Sequence, residues 1–361
     1  MRFPEFTGEW EEETLGSVAK VVGGGTPDTN IQKYWNGNIQ WFTPSEIGRD
    51  KYVTYSLRTI SEEGLNKSSA KILPTGTILL SSRATVGECS INNVECTTNQ
   101  GFQSLIAKEN ISNEFLFYLI QTKRKELIRK SCGSTFLEIS ANEVRKIKIA
   151  IPTHKEQEKI GKLLALLDER IATQNKIIDK LQTLIKGIAQ NIACNNRPNI
   201  RISECLECSS STLQESDVCE HGTYPVYGAN GIVGYLDNYN TEGEAIYIIK
   251  DGSGVGTVSY VTGKCSATGT LNTLQTKKGY SLQYLYYMLK VFSFDSYKTG
   301  MAIPHIYFKD YGKAKIFCPS YTEQLQYARL SFAIDNKLST EQRLLTSLIL
   351  QKQYLLRQMF I

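Results

Sequence analysis

The chain has 361 residues, of which 41% are hydrophobic and 21% are charged, and its net charge is +5. This composition excludes a disordered chain, and the length is sufficient for two domains with separate cores. The sequence contains no apolar run long enough to span a bilayer, and residues 1–13 lack the apolar segment of a signal peptide. We therefore expect a cytoplasmic protein.

Each half of the chain shows the same order of sequence patterns. A β-like run bounded by glycine turns comes first, and a short helical pattern follows it. A second β-like run then ends at a proline, and a long helical pattern without proline closes the half. These four patterns occupy 77–81, 113–128, 147–151 and 156–192 in the first half, and 245–249, 282–292, 314–318 and the residues after 323 in the second.

The chain also resembles itself residue by residue. At an offset of 169 positions Val86-Gly87 aligns with Val255-Gly256, and after a deletion of two residues Glu156-Gln157 aligns with Glu323-Gln324. This period is far too long for a solenoid repeat. The sequence therefore predicts a duplicated domain with two halves of similar plan.

The two long helices are predicted from an apolar stripe with alternating spacings of three and four residues. Gln174 interrupts the stripe of the first helix, and Glu341 interrupts that of the second in the same register. Such a stripe must be buried, and at about 37 residues, or roughly 55 Å, pairing of the two helices is favoured over burial of each in a separate core. The stripe residues are Ile160, Leu164, Leu167, Ile171, Ile178, Leu181, Ile185, Ile334, Leu338, Leu345, Leu348 and Leu355.

Two similar modules and two long helices in one chain favour recognition of a split target. If each module reads a short stretch of duplex DNA, the pair reads two half-sites that flank an unread spacer. The helices would then set the spacer length, as dimer geometry sets the half-site separation in helix-turn-helix proteins.

With these features the chain resembles the specificity subunits of type I restriction–modification systems. The resemblance rests on the order of parts, on the Val-Gly loop of each half, and on the Glu-Gln pair that opens each long helix. The first residues, Arg2-Phe-Pro-Glu-Phe6 with Trp10, also look like the start of that family. The combination extends over essentially the whole chain.

The resemblance implies an α+β fold in which two strand-rich target-recognition domains are joined by a coiled-coil spine of two antiparallel helices. The recognition domains would be residues 1–153 and 195–320, and the helices residues 154–194 and 321–361. It further implies a non-catalytic subunit that binds double-stranded DNA and docks two methylation subunits and the restriction subunits. S-adenosylmethionine, ATP and Mg²⁺ would be bound by those partners and not by this chain.

Apart from Thr43 and Ser45, the candidate DNA contacts lie in loops that occupy equivalent places in the two halves. Arg and Lys pair with guanine edges or phosphates, and Asn and Gln pair with adenine. The alternative for each residue is an ordinary polar turn. The second half shows no clear counterpart to the segment 41–46 of the first. The candidates are Thr43, Ser45, Arg83, Asn99, Gln100, Ser134, Thr135, Lys250, Ser253, Thr268, Thr270 and Lys298.

Two other kinds of site are disfavoured by the sequence. The glycines at 252, 254 and 256 precede no helical pattern, so the loop lacks the helix N-terminus that a dinucleotide site requires. Cys205, Cys208, Cys219 and His221 have spacings compatible with zinc. The repeat, however, aligns Cys205 and Cys208 with valines of the first half, which favours core packing, and we predict no metal site.

Two further functions remain as alternatives to DNA recognition. A protein–protein scaffold with peptide- or glycan-binding modules would differ from a DNA reader in showing no steep dependence of binding on salt. An autonomous nuclease or methyltransferase is disfavoured, because the sequence has neither an Asn-Pro-Pro motif nor a cofactor fingerprint.

Overall fold

The computed structural model describes residues 2–133 and 137–360, which divide into two compact units. The first unit contains the residues up to Thr173 together with those from Leu345 onward, and the second contains Gln174–Leu344. Each unit thus holds one strand-rich module and a segment of both long helices. We call residues up to 153 the first module and residues 195–320 the second. In the described part of the chain, no helix is both long and apolar enough to cross a membrane.

The first module combines short strands with four helices of its own. Its strands are β1 (Glu11–Thr14), β2 (Ala19–Gly23), β3 (Trp35–Phe42), β4 (Tyr52–Val53), β5 (Arg58–Ile60), β6 (Ile78–Leu80), β7 (Cys89–Asn92), β8 (Cys96–Thr98), β9 (Gln103–Ala107) and β10 (Lys148–Ile151). Its helices are α1 (Leu15–Val18), α2 (Glu62–Asn66), α3 (Asn113–Arg129) and α4 (Ala141–Arg145).

The strands of the first module form two sheets and one separate pair. The five-stranded sheet has the order β2-β9-β6-β7-β4, and the three-stranded sheet has the order β5-β3-β8. Helix α3 contributes the apolar run Phe115–Ile120, which is buried against the larger sheet in one core with Leu80 and Leu105. The side chain of Ser112 caps this helix by accepting a hydrogen bond from the N–H of Phe115.

The first long helix, α5 (His154–Asn195), follows the first module and leads into the second. The strands of the second module are β11 (Ile200–Arg201), β12 (Leu206–Ser210), β13 (Tyr224–Gly228), β14 (Gly231–Leu236), β15 (Glu244–Ile249), β16 (Val258–Thr262), β17 (Ser266–Ala267), β18 (Leu271–Thr276) and β19 (Lys315–Ile316). Its helices are α6 (Ile202–Cys205), α7 (Leu282–Val291) and α8 (Phe308–Tyr311), and the second long helix is α9 (Tyr321–Met359).

The second module repeats the sheet plan of the first. Its four-stranded sheet has the order β12-β18-β15-β16, and its three-stranded sheet has the order β14-β13-β17. In both small sheets the first neighbour of the central strand is antiparallel and the second is parallel. The Val-Gly loops also match, because Gly87 and Gly256 both have a φ near +90°.

The segment 41–46 has a structural counterpart in the second half at its first two residues only, because β13 turns directly into β14 and no helical turn like that at Pro44–Glu46 follows it. Strand β13 pairs in parallel with β17 and places Tyr227 opposite Ala267. In the first module β3 pairs in parallel with β8 and places Phe42 opposite Thr98. The two strands therefore have the same structural role, although their sequences share no recognisable pattern.

In each unit the segments of α5 and α9 pack together and run antiparallel. In the first unit Asp168 forms an ion pair of 2.6 Å with Lys352, and Ile160, near the start of α5, shares a core with Met359, near the end of α9. In the second unit Gln174 contacts Glu341, and Ile192 shares a core with Ala328. The predicted α+β class with paired antiparallel helices is confirmed.

The predicted apolar stripe lies on the packed faces of these helices. Six of its residues are buried, namely Ile160, Leu164, Leu167, Ile178, Ile185 and Leu348. The remaining six are half-buried, namely Ile171, Leu181, Ile334, Leu338, Leu345 and Leu355.

The glutamine of each Glu-Gln pair fastens the start of a long helix to its module. Gln157 accepts a hydrogen bond from the N–H of Ser112 at 3.0 Å and donates one to the carbonyl of Pro152 at 2.9 Å. Gln324 makes the same two bonds, each of 2.9 Å, with Ser281 and the carbonyl of Pro319. The sequence motif thus marks a duplicated junction between module and helix.

Candidate nucleic-acid interface

The ends of three strands meet at one edge of the first module. The N–H of Gly25, just after β2, donates to the carbonyl of Thr98 at 2.8 Å. The N–H of Asn99, just after β8, donates to the carbonyl of Phe42 at 3.1 Å. The predicted contact residues that follow β3 and β8 are therefore neighbours in space, together with the glycine turn after β2.

The turn that carries Arg83 belongs to the same edge. The N–H of Ser82 donates to the carbonyl of Gly101 at 2.8 Å, which joins this turn to the loop after β8. The Arg83 side chain is about half exposed, and its Nε lies 3.7 Å from Oε2 of Glu138. An exposed ion pair of this length contributes little to stability, so the guanidinium can exchange Glu138 for a base or a phosphate.

The side-chain amide oxygens of Asn99 and Gln100 each accept a hydrogen bond from a neighbouring residue. Oδ1 of Asn99 accepts from the N–H of Gly101 at 2.8 Å, and Oε1 of Gln100 accepts from the hydroxyl of Thr26. Gln100 is exposed and Asn99 is half-buried. One bond closes the turn at residues 99–101, and the other joins this turn to the one that contains Thr26.

A carboxylate holds the turn at Thr43 and Ser45. Oε2 of Glu46 accepts from the N–H and the hydroxyl of Thr43 at 2.8 and 2.6 Å, and Oε1 accepts from the N–H of Leu57 at 2.7 Å. The hydroxyls of Thr43 and Ser45 lie 3.1 Å apart. Glu46 thus presents two neighbouring hydroxyls at the edge but does not face outward itself.

Two predicted contact residues, Ser134 and Thr135, lie outside the described residues. The chain on either side of them is paired, because Cys132 and Glu138 exchange two backbone hydrogen bonds of 2.9 Å. Glu138 is also the ion-pair partner of Arg83. The described flanks of this loop therefore reach the same edge as the other candidates.

The second module gathers its candidates around the glycine loop that begins at Lys250. The N–H of Lys250 donates to the carbonyl of Thr270 at 2.9 Å, and its carbonyl accepts from the N–H of Ile306 at 2.9 Å. Ser253 is exposed within the loop, and Lys298 lies at the base of the neighbouring hairpin 299–305. Four of the five candidates of this module therefore share one edge and are accessible.

Thr268 requires a correction. Its side chain is only 1% exposed, and its hydroxyl lies 2.8 Å from that of Thr270. A buried hydroxyl that already has a partner is not available to a base, so Thr268 supports Thr270 and is not itself a contact. The repeat aligned the loops correctly but does not distinguish a buried position from an exposed one.

Cys205 and Cys208 of the second module lie where the repeat placed them. Cys205 ends α6 as Val18 ends α1, and it is 0% exposed in the module core. Burial raises the pKa of Cys205 to about 12 and that of Cys208 to about 11, so both thiols stay protonated at neutral pH. Within residues 2–133 and 137–360 no group of Cys, His, Asp and Glu has a metal-binding arrangement.

A family profile identifies the chain. The family described as "Type I restriction modification DNA specificity domain" matches residues 7–183 and 199–348. The chain belongs to this family. The predicted type I specificity subunit is thereby confirmed, and such a subunit is the non-catalytic component of its complex.

Individual relatives agree with this assignment over different lengths. The type I restriction enzyme MjaIX specificity subunit of Methanocaldococcus jannaschii is 37% identical over 48% of this chain and 42% of its own length. The EcoprrI specificity subunit of Escherichia coli is 25% identical over 88% of this chain and 85% of its own. This chain therefore aligns with less than half of the first relative and with most of the second.

The fold also matches a solved structure. The crystal structure of a type I restriction–modification S subunit from M. genitalium has a TM-score of 0.69 and 19% identity, and the match covers 99% of this chain and 97% of that one. At this level of identity the match establishes the fold, which is the two-module plan with long helices.

Sequence reasoning missed three residues of these edges. Thr26 orients Gln100, and the triple glycine 23–25 before it could have indicated a turn of close backbone approach. Glu46 organises Thr43, and the Thr-x-x-Glu spacing is a capping-box signal. Met301 lies on hairpin 299–305, next to the predicted contact residue Lys298, and the sequence indicated the loop but not the exposed apolar side chain.

Proposed function

We propose that this chain reads a bipartite DNA target with a fixed spacer, one half-site for each module, and docks the methylation and restriction subunits of a type I enzyme. The observation that carries the proposal is the duplicated edge. In the first module the loop after β8 meets the loop that carries Arg83. In the second module the loop after β17 meets the loop that begins at Lys250. Two similar but diverged reading edges in one chain suit a split, asymmetric target.

The chemistry of these edges suits DNA better than a peptide or a glycan. Arg83, Lys250 and Lys298 supply positive charge for guanine or phosphate, and Asn99 and Gln100 supply amides for adenine. The division into recognition domains 1–153 and 195–320 and helices 154–194 and 321–361 forms part of the proposal. Partner subunits with their own DNA contacts would explain why a net charge of +5 suffices.

The long helices support the proposal of partner subunits. Apart from the buried stripe, both helices carry large apolar side chains that are about half exposed, which is typical of a surface covered by another protein. We propose that the methylation subunits cover them and bind S-adenosylmethionine, and that restriction subunits bind ATP and Mg²⁺. The residues are Leu166, Leu184, Leu330, Phe332, Leu350 and Tyr354.

Sequencing of methylated bases in a host with and without this gene tests the proposal. The expected result is one split motif that loses methylation when the gene is deleted. The purified complex of this chain with its methylation subunit should protect the same motif from nuclease. A contiguous motif, or unchanged methylation, would contradict the proposal.

The dependence of binding affinity on salt concentration distinguishes the scaffold alternative from DNA recognition. Binding through Lys and Arg must weaken steeply as salt rises, because bound phosphates release counterions. Binding to a peptide or glycan that is insensitive to salt, together with no affinity for DNA, would favour the scaffold.

A further inference from the structure

An apolar tip stands out on the second module. Hairpin 299–305 carries Met301, which is fully exposed at 107%, and Ile303, which is 66% exposed. Met301 is the most exposed large hydrophobic side chain in the part of the chain that the structure describes. Exposed apolar side chains that lie together on a loop indicate a surface that is covered in the working protein.

Backbone hydrogen bonds close the hairpin that carries this tip at its base. Thr299 and His305 exchange two backbone hydrogen bonds of 2.9 and 2.8 Å. Gly300 has a φ of +87°, and a Cβ at this position would lie 2.4 Å from the carbonyl oxygen of Ile303. The geometry of the turn therefore requires glycine, and it holds Met301 and Ile303 out in water.

The tip lies beside the residues proposed to read DNA. The N–H of Gly252, in the glycine loop, donates to the carbonyl of Pro304 at 3.0 Å, and the N–H of Ile306 donates to the carbonyl of Lys250. Lys298 directly precedes the hairpin. Lys250 and Lys298 thus lie beside the apolar projection, together with Asp251, which bridges to His305, and Asp295, which pairs with Lys298. The ion pair of Lys298 is exposed and can be exchanged for a phosphate, so the projection and its lysines suit a polyanion with an apolar interior of stacked bases.

We propose that Met301 and Ile303 enter a groove of the duplex and unstack one base step in the half-site of the second module. Apolar wedges of Met or Ile between base pairs are a known way for proteins to kink DNA. The inference rests on the proposed DNA function and extends it. The second module would then read deformability as well as base edges, and a flexible pyrimidine–purine step would be favoured at the wedge.

Fluorescence of 2-aminopurine tests the wedge directly. The probe is a duplex carrying the motif found by methylation sequencing, with 2-aminopurine at one position at a time through the second half-site and its flanks. The methylated adenine is left out, because its extrusion for chemistry would itself raise the fluorescence. With the complex of this chain and its methylation subunits, we expect increased fluorescence at one step only.

Two double variants supply the comparison. The M301A/I303A variant should lose this fluorescence and bind the motif about tenfold more weakly, which is the usual scale for loss of an apolar anchor. Its dependence on salt should be unchanged, since no charge is removed. The M301L/I303L variant keeps the apolar volume and should retain both the fluorescence and the affinity. Equal melting temperatures of the three proteins would establish that the fold is intact.

The outcomes separate the wedge from the proposed function. Specific binding without increased fluorescence at any step, or with equal affinity in the alanine variant, would overturn the wedge and leave the function standing. Weaker assembly with the methylation subunits and unchanged DNA binding would show that the tip contacts protein, which also overturns it. A complex that does not distinguish the motif from a scrambled duplex would refute the proposed function itself.

Discussion

The hydroxyl of Tyr118 donates a hydrogen bond of 2.6 Å to Oδ2 of Asp168, and so ties the main helix of the first module to α5. The second unit contains the same bond at the same length, between Tyr287 and Asp335 of α9. Burial, together with the bond to the carboxylate, raises the pKa of each tyrosine above its ordinary value. Both hydroxyls therefore stay protonated and able to donate throughout the physiological pH range.

Removal of either tyrosine hydroxyl should weaken the attachment of a module to its helix. We expect Tyr118→Phe and Tyr287→Phe each to lower the free energy of unfolding by about 1–3 kcal/mol, because a hydrogen bond to a charged group is lost while the ring packing stays. Urea unfolding of each variant measures the change in the free energy of unfolding. Tyr321→Phe, at an exposed position of α9, is the control and should change little. Equal losses in all three variants would contradict the prediction.

The glutamine junctions should be more sensitive than other glutamines of the same helix. Gln157 is 2% exposed, and Gln157→Leu would leave the N–H of Ser112 and the carbonyl of Pro152 without this partner. We expect a loss of about 2–4 kcal/mol, since two buried polar groups lose their bonds. Gln190→Leu, at an exposed position of α5, is the matched control. Similar melting temperatures for the two variants would contradict the prediction.

Glu341 should make stability depend on pH in the acid range. Bonds to Lys337 and Gln174 hold the pKa of the Glu341 carboxyl below its ordinary value of 4.5. A carboxylate with a lowered pKa stabilises the fold above that ordinary value, and the contribution is lost as pH falls through the lowered pKa. Glu341→Gln should therefore flatten the decline in melting temperature on acidification. An unchanged pH profile in this variant would argue against the assignment.

Gln100 should determine one base of the first half-site. We expect Gln100→Ala to relax the motif at one position, with a loss of discrimination of about 1–3 kcal/mol, while the second half-site stays unchanged. Methylation sequencing with the variant gene measures both half-sites at once. Relaxation in the second half-site would contradict the pairing of module and half-site.

Lys298 should contribute to the affinity for DNA and not to the sequence specificity of binding. Its exposed ion pair with Asp295, at 2.7 Å, contributes little and can be exchanged for a phosphate. Lys298→Ala should weaken binding to all duplexes alike and lower the slope of log affinity against log salt by about 1. Titrations at several salt concentrations test this, and a change confined to one motif variant would indicate a base contact instead.

The repeat and the helices were predictable because their signals are regular. The heptad stripe has a fixed period, and each of its residues is buried or half-buried. The alignment of Cys205 with Val18 was correct because a buried position at the end of a short helix accepts any small apolar residue. Periodicity and repetition are properties of the sequence itself.

The role of strand β13 and the exposed apolar tip were not predictable for a physical reason. Tyr224–Gly228 forms a local hairpin with β14, but its equivalence to β3 depends on the parallel pairing of Val226 and Tyr227 with β17. That strand lies about forty residues further along the chain, and local residues do not specify such a partner. The loop that begins at Lys298 was predicted, but Met301 and Ile303 were not singled out in it, because a short apolar run carries no signal for exposure. Both features depend on tertiary contacts that are distant in sequence.

The duplicated glutamine junctions have a consequence for inheritance. Because Gln157 and Gln324 make the same bonds to a serine N–H and a prolyl carbonyl, the attachment of a module is independent of the loops that the module carries. Genetic exchange between related genes with crossovers in the helix segments would therefore transfer a whole reading edge with its fastening intact. New specificities could then arise by recombination of intact modules, without a series of point mutations that each weaken the protein.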